Sequence, residues 1–246
     1  MSKFLQNGKY GENQWTFTPG LSSRDLVTSL VMSWTLDICA GKKIAAYLSH
    51  ISGAFDRVCK EYLTGKLRAA GVGPTYLRFL ESYLKPRQTK VIVEGVMSDA
   101  IRIANTVFQG TVLGPPLWNL FVADVVSPAE STGGKGALFA DDLNVFQAFD
   151  VDTNNAELTR TMGVCRSRVH AWGHTNRVAF DGDKEHIVVI HPIHGSGDAF
   201  KFLGCLVDCK LLMHQAIDQI LSQVRPKMIA ILKTRNYYEN NHMLNQ

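Results

Sequence analysis

The sequence of 246 residues predicts an α+β fold on three observations. Apolar residues recur every four positions at Leu26, Leu30, Trp34 and Ile38, which is the spacing of a helix with one buried face. Shorter apolar runs bounded by turn residues are typical of strands. Helices and strands follow one another without a regular strand–helix–strand alternation, which argues against a doubly wound parallel sheet.

In the N-terminal part, Ser22 or Ser23 is a suitable N-cap for the first helix, which we expect to run down to Gly41. Gly71 suits the end of the next helix, and Pro74 suits the first turn of the one after it. The predicted elements here are a loop over 1–20, helix to Gly41, strand 44–48, helix 57–70 and helix 74–84.

After residue 84 the apolar period shortens, and paired short runs indicate hairpins. The predicted elements are a hairpin of strands 89–94 and 100–108, helix 115–126, a hairpin of strands 137–140 and 143–149, helix 153–172, a turn near Gly182, strands 186–191 and 202–207, and helix 212–240.

The composition is that of an ordinary globular protein, with 46% hydrophobic and 20% charged residues. The formal net charge of +4 is too small to establish a polyanionic partner by itself. No apolar run approaches the ~18 residues of a membrane span, and the first 15 residues lack the apolar core of a signal peptide. Five cysteines argue against a disulfide scaffold and favour a reducing, intracellular compartment.

The second of these predicted hairpins carries Asp141 and Asp142 at its turn, between apolar flanks. Aspartate is common in turns, so the pair alone is compatible with a solvated loop. The apolar flanks instead favour a buried hairpin whose carboxylates bind a hard cation such as Mg²⁺.

Two further segments have the composition of a site. In LSHISGAFDRV (48–58) a strand ends, passes Gly53 and enters a helix, which Asp56 could simply cap. In FQGTVLGPPLWNLF (108–121) two glycines and two prolines surround Gln109, and Gly110 permits a close backbone approach to a ligand. An ordinary strand-to-helix loop is the alternative for this second segment.

Taken in order, the two segments, FADD (139–142), FDGDKEHIVVIH (180–191) and FKFLGCLVD (200–208, with Lys201) resemble the palm of a reverse transcriptase. NQWTFTPGLSSRDLV (13–27) is similar to the lead-in of the non-LTR, LINE-type retrotransposon group. A single Asp-Asp pair is weak evidence, whereas five blocks in the right order and spacing are strong evidence.

The resemblance implies a palm with a ferredoxin-like antiparallel sheet packed on helices, and RNA-directed DNA synthesis by two-metal nucleotidyl transfer with Mg²⁺, or Mn²⁺ as an alternative. It implies an RNA template, a DNA primer and dNTP as partners. The implied roles are catalysis and metal binding for Asp141 and Asp142, proton transfer to pyrophosphate for Lys184, nucleotide binding for Phe55, Gln109 and Gly110, and primer gripping for Phe202, Leu203 and Gly204.

His50 stands where the family has the aspartate of its first block. A neutral imidazole removes one negative charge between two Mg²⁺ ions, and it suits Zn²⁺ better than Mg²⁺. We therefore predict a catalytically impaired enzyme, with a non-catalytic nucleic-acid-binding remnant of a reverse transcriptase as the alternative. An unrelated metal-dependent phosphohydrolase would keep Asp141 but make Phe55 and Gln109 irrelevant.

The resemblance also assigns residues 1–211 to the palm, with a remnant of the fingers, and 212–246 to the start of a thumb-like helical segment. The short lead-in and early end predict a truncated copy. The resemblance implies the nucleus, whereas the RNA that is copied and the oligomeric state stay open.

Several charged and metal-ligating residues stand outside these blocks. Arg87 and Lys90, with Arg57 and Lys85, are candidates for contact with a template backbone. Arg225, Lys227, Lys233 and Arg235 fit either a thumb or an ordinary charged helix face. We interpret Cys205 and Cys209 as a buried strand pair, His191 and His194 as surface residues, and His170 and His174 as a solvated helical pair.

Overall fold

The structure is a computed structural model that describes residues 13–103 and 107–234. Some predicted features lie outside the described residues. They are most of the N-terminal loop, the middle of the strand expected over 100–108, and the end of the last helix with Arg235.

A five-stranded antiparallel sheet lies at the centre of the fold. β1 (Lys42–Ser52) is its central strand and pairs along one edge with β7 (Asp142–Asp150), which in turn pairs with β6 (Lys135–Phe139). Along its other edge β1 pairs with β9 (His186–Ile190) and, at its end, with β8 (Ala179–Phe180). The predicted acidic hairpin is therefore β6 and β7.

The described part of the chain also contains seven α-helices. They are α1 (Ser23–Cys39), α2 (Lys60–Ala69), α3 (Pro74–Tyr83), α4 (Gly114–Val122), α5 (Val126–Glu130), α6 (Asn155–Asn176) and α7 (His214–Thr234). None of the described helices has the length and apolarity that crossing a membrane requires. The α+β fold with an antiparallel sheet is confirmed.

Side chains of β1 alternate between two cores because successive residues of a strand point to opposite faces. Ala45 and Tyr47 pack into the larger core, which α2 to α6 cover. Ile44 and Ala46 pack into a second core with α1 on the opposite face of the sheet. Burial on both faces explains why β1 reads as a nearly continuous apolar run.

Helix boundaries follow local capping. Ser22, one of the two N-caps that the sequence predicts, forms a capping box with the Asp25 carboxylate at the start of α1. α6 begins two residues later than expected, because the Asn154 side chain accepts a hydrogen bond from the Ala156 N–H. It also runs past residue 172 to Asn176. The C-cap, Arg177, adopts the left-handed conformation (φ 58°).

The hairpin expected from strands 89–94 and 100–108 is a ribbon of two consecutive ladders. β2 (Arg87–Thr89) pairs with β5 (Ile101–Ile103), and β3 (Ile92–Val93) pairs with β4 (Val96–Met97) nearer the tip. The ribbon exposes its apolar side chains, with Val96 73% exposed.

The apolar composition of 202–207 predicts one strand, but the structure does not have one continuous strand there. The segment contributes to a hairpin of β10 (Phe200–Phe202) and β11 (Cys205–Val207), because Leu203 (φ 47°) and Gly204 (φ 87°) turn the chain. This hairpin packs into the second core through Phe200 and Phe202.

Gly136 on β6 tests the packing between the sheet and α5. A methyl group at this position would overlap the side chain of Val126. We expect Gly136→Ala to lower the free energy of unfolding by about 1–3 kcal/mol through overpacking.

Gly163 on α6 is the matched control, since a methyl group there meets nothing within 4 Å. Gly163→Ala should raise stability by about 0.5–1 kcal/mol, because alanine is the better helix former. Urea denaturation, followed by circular dichroism, measures the free energy of unfolding of both variants. Equal changes in the two variants would contradict the close packing of Gly136 against Val126.

Candidate active site

The register of β1 against β7 places His50 directly opposite Asp142. The Nδ1 atom of His50 lies 2.9 Å from Oδ1 of Asp142, within hydrogen-bond distance. The other ring nitrogen, Nε2, lies 3.4 Å from Oδ2 of Asp141. The imidazole at the position of the expected aspartate therefore stands between the two carboxylates.

The turn that carries Asp141 is held from both sides. Its Ala140 adopts the left-handed conformation (φ 56°), which is unfavourable for a residue with a Cβ. The indole N–H of Trp118 on α4 donates to the carbonyl oxygen of Ala140 at 2.9 Å. The N–H of Ile51 donates to the carbonyl oxygen of Asp141 at 2.7 Å. The large core thus fixes the backbone of the acidic pair.

Burial dominates the electrostatics of Asp142 and raises the pKa of its carboxyl group. The nearby charge of Asp141 raises that pKa further, while the hydrogen bond with His50 and the charge of Lys184 oppose the shift. The side chains of His50, Asp141 and Asp142 remain 24%, 38% and 36% exposed, so a ligand can reach them. Each offers one metal-ligand atom, and the three atoms lie within 4.8 Å of one another.

A cleft of about 360 Å³ joins His50 and Asp142 to other residues that the resemblance singles out, while Asp141 is not among the residues that line it. The residues lining it include His50, Asp142, Lys184, Phe202, Leu203 and Gly204. Lys184 lies on a single 3-10 turn (Gly182–Lys184) before β9 rather than on the strand, with its Nζ 3.3 Å from the Asp181 carboxylate. The N–H of Asp181 donates to the carbonyl oxygen of His50, which ties this turn to the site.

Phe55, Gln109 and Gly110 form a second group that does not line this cleft. The N–H of Val107 donates to the carbonyl oxygen of Phe55, so the two loops meet. Gly110 has a positive φ of 75°, as a tight turn requires. The Phe55 ring lies 5.5 Å from the Trp118 ring between centroids, and the same indole bonds Ala140. Trp118 therefore connects this group to the acidic turn.

Arg87 and Lys90 lie on or beside the exposed ribbon, outside the cleft. The guanidinium of Arg87 lies 4.0 Å above the centre of the Phe108 ring and donates to the carbonyl oxygen of Tyr83. Arg87 thus packs beside the loop that carries Gln109.

Sequence reasoning missed a buried carboxylate next to Lys184. Glu185, whose side chain is 9% exposed, accepts hydrogen bonds from the hydroxyl groups of Tyr47 and Ser49 and pairs with Nε2 of His170 at 2.7 Å. Burial raises the pKa of the Tyr47 hydroxyl group, and the hydrogen bond to Glu185 raises it further. The alternation of β1 could have assigned Tyr47 and Ser49 to one face, but only the register of β9 brings Glu185 to them.

His170 and His174 are exposed, as expected of a solvated helical pair, and His170 also pairs with Glu185. Two other interpretations of residues outside the site were wrong. His191 is buried rather than on the surface, and its Nδ1 accepts from the N–H groups of Ile193 and His194. Cys205 is exposed while Cys209 is buried, so they are not a buried pair, because β11 exposes Cys205 at its first position.

Comparison with known proteins gives consistent results. The profile of the family described as "Reverse transcriptase (RNA-dependent DNA polymerase)" matches residues 3–207. The chain is 28% identical over 193 residues to the probable RNA-directed DNA polymerase from transposon X-element of Drosophila melanogaster, covering 72% of this chain and 21% of that protein. It is also 28% identical over 220 residues to the RNA-directed DNA polymerase from mobile element jockey of the same organism, covering 80% and 23%.

The fold is similar to that of apo telomerase from Candida tropicalis truncated from its C-terminal domain. The TM-score is 0.62 at 11% identity, with 85% of this chain and 43% of that one covered. At this identity the likeness shows the fold alone. The chain spans less than a quarter of the length of the two Drosophila relatives.

Ala140→Gly tests whether the acidic turn is strained. Glycine adopts a positive φ without a steric cost, so we expect the free energy of unfolding to rise by up to about 1 kcal/mol. Ala171→Gly, at an exposed helical position of α6, is the matched control and should lower it by about 0.5–1 kcal/mol. Chemical denaturation compares the two; a loss of the same size in both would show an unstrained turn.

Proposed function

Because this chain belongs to the reverse transcriptase (RNA-dependent DNA polymerase) family, in its non-LTR retrotransposon group, we propose that it is the palm of an RNA-directed DNA polymerase with an impaired metal site. One observation carries the proposal. A single cleft contains the acidic β7 start, Lys184 and the β10–β11 hairpin, with His50 in the place of a carboxylate.

The proposed reaction is attack of a primer 3′-OH on the α-phosphate of a dNTP, with pyrophosphate leaving. Phe202, Leu203 and Gly204 would hold the primer end, since they form one wall of the cleft. Lys184 would give a proton to the leaving pyrophosphate. Phe55, Gln109 and Gly110 would contact the incoming nucleotide and template from the second group, across Trp118.

The residues present do not fit a pair of Mg²⁺ ions. Mg²⁺ requires near-octahedral coordination by oxygen, and this site offers two carboxylates and an imidazole. Two carboxylates would face four positive charges, and the imidazole would add none of the missing negative charge. Membership of the family still implies use of a divalent metal. Mg²⁺ is the cofactor that the resemblance implies. We propose that the loss of this carboxylate slows primer extension with Mg²⁺.

A non-catalytic nucleic-acid-binding protein is the second candidate function. The observation that favours it is His50 itself, whose two ring nitrogens contact the two aspartates where the family has a third carboxylate. An RNA–DNA primer–template would then bind without being extended.

We also propose that residues 1–211 form the palm, with remnants of the fingers, and that 212–246 begin a thumb. In support, α7 follows directly after the β10–β11 hairpin, and none of its residues is buried against the sheet.

Primer extension on an RNA template tests the proposed function. With Mg²⁺ and dNTPs, we expect His50→Asp to extend a DNA primer about 100-fold faster than the natural chain, equivalent to about 3 kcal/mol of barrier. Asp141→Asn in the His50→Asp background should abolish extension. His194→Asp makes the same chemical change at an exposed histidine outside the site and should have no effect.

Equal rates for the natural chain and His50→Asp would contradict the proposed impairment. If neither extends the primer while both bind the primer–template, the non-catalytic role is the better description. If neither extends nor binds it, both candidate functions fail.

Binding of a labelled RNA–DNA primer–template tests the assignment of Arg87 and Lys90 to a nucleic-acid backbone. Arg87→Gln and Lys90→Gln should each weaken binding and reduce the slope of log Kd against log salt by about 1, since each phosphate contact releases a counterion. Arg160→Gln, at an exposed position of α6, is the matched control. Fluorescence anisotropy over a salt series gives the slopes; unchanged slopes would place the nucleic acid elsewhere.

A further inference from the structure

We propose that His50, Asp141 and Asp142 form a site for one transition-metal ion, with Zn²⁺ preferred over Mg²⁺. The proposal concerns the same residues as the proposed function and rests on it in that respect alone. Metal binding requires neither nucleotide nor template. It predicts a change of metal class where the family relationship alone implies Mg²⁺.

The hydrogen bonding of His50 presents a ligand atom to an ion. In the tautomer that carries its proton on Nδ1, His50 donates to Oδ1 of Asp142 at 2.9 Å, and the lone pair of Nε2 is left on the side of Asp141. A carboxylate that orients a histidine in this way is the usual arrangement behind a metal-ligating imidazole. In this arrangement Oδ1 of Asp142 orients the imidazole, so the ligand atom that Asp142 can offer is its other carboxylate oxygen, Oδ2.

The separation of the ligand atoms fits a small tetrahedral ion. Two ligands at the usual Zn²⁺ distance of about 2.0–2.1 Å from a tetrahedral centre are about 3.3 Å apart. The distance between Nε2 of His50 and Oδ2 of Asp141 is 3.4 Å. One oxygen or nitrogen atom from each of the three residues lies within 4.8 Å of the others, so each residue can offer one ligand atom to a single ion.

The charges and donor types favour a single ion of borderline softness. Two carboxylates neutralise one divalent ion, whereas a pair of ions would keep an excess of two positive charges. Imidazole with carboxylate is a donor set that suits Zn²⁺, and Mg²⁺ binds nitrogen poorly.

A polar residue without a hydrogen-bond partner lies beside the proposed ion site. Asn144 follows Asp142 on the same face of β7, is 5% exposed and lines the cleft. Its Nδ2 has no hydrogen-bond partner among the described residues. A buried amide donor without a partner is costly, so Asn144 adds an unsatisfied polar group beside the three candidate ligands.

Isothermal titration of the metal-free chain with Zn²⁺, Mn²⁺ and Mg²⁺, without nucleic acid, tests the proposal. We expect one Zn²⁺ per chain and much weaker Mg²⁺ binding. His50→Ala and Asp141→Asn should each weaken Zn²⁺ binding by at least about 10-fold. His50→Asp should lower the preference for Zn²⁺ over Mg²⁺. His194→Ala, at an exposed histidine, is the matched control and should leave binding unchanged.

Co²⁺ provides a second measurement on the same variants. The natural chain should give the visible absorption of a tetrahedral ion without sulfur-to-metal charge transfer, which separates this site from the free cysteines. Zn²⁺ binding that survives in folded His50→Ala, or Mg²⁺ binding as tight as Zn²⁺ binding, would overturn the proposal. The result stands apart from the primer-extension assay, whose failure would affect only the proposed function.

Discussion

The antiparallel pairing of β1 with β7 is the constraint on which the rest of the site depends. The two strands are in register from Lys42 opposite Asp150 to His50 opposite Asp142. A slip of one residue would turn every side chain of β1 to the other face of the sheet. Ile44 and Ala46 would then leave the second core, and His50 would leave the cleft. Burial on both faces of β1 therefore fixes the position of a polar group at its end.

Trp118 extends this constraint to the other half of the site. Its side chain is fully buried, its ring contacts that of Phe55, and its N–H supports the left-handed Ala140. One core residue thus sets the distance between the loop proposed to bind nucleotide and the turn that carries the carboxylates. The network of Glu185 with Tyr47, Ser49 and His170 supports β1 on the side of the larger core, opposite the face that carries His50.

The periphery of the molecule differs from this packed centre. The apolar tip of the ribbon and the apolar side chains of α7 are exposed in the described structure, including Val96 and Ile220. Exposed apolar surface of this extent is typical of segments that contact another domain or partner. The relatives that the chain matches are more than four times as long as the matched region. The cleft, in contrast, is built from strands and turns that the two cores hold in place.

The sequence alone determined the α+β class, the main helices and strands, and the order of the blocks that place His50, Asp141 and Asp142 in one site. Local patterns are sufficient for this, since apolar period, caps and turn residues act over a few positions. The tertiary structure alone decided that each ring nitrogen of His50 contacts a different aspartate. It also decided that Lys184 lines the cleft, whereas Phe55 does not. It also decided the pairing of Glu185 with His170 and the unpaired amide of Asn144. These features depend on strand register and on contacts between distant segments, which the packing of the whole core selects and no local pattern encodes.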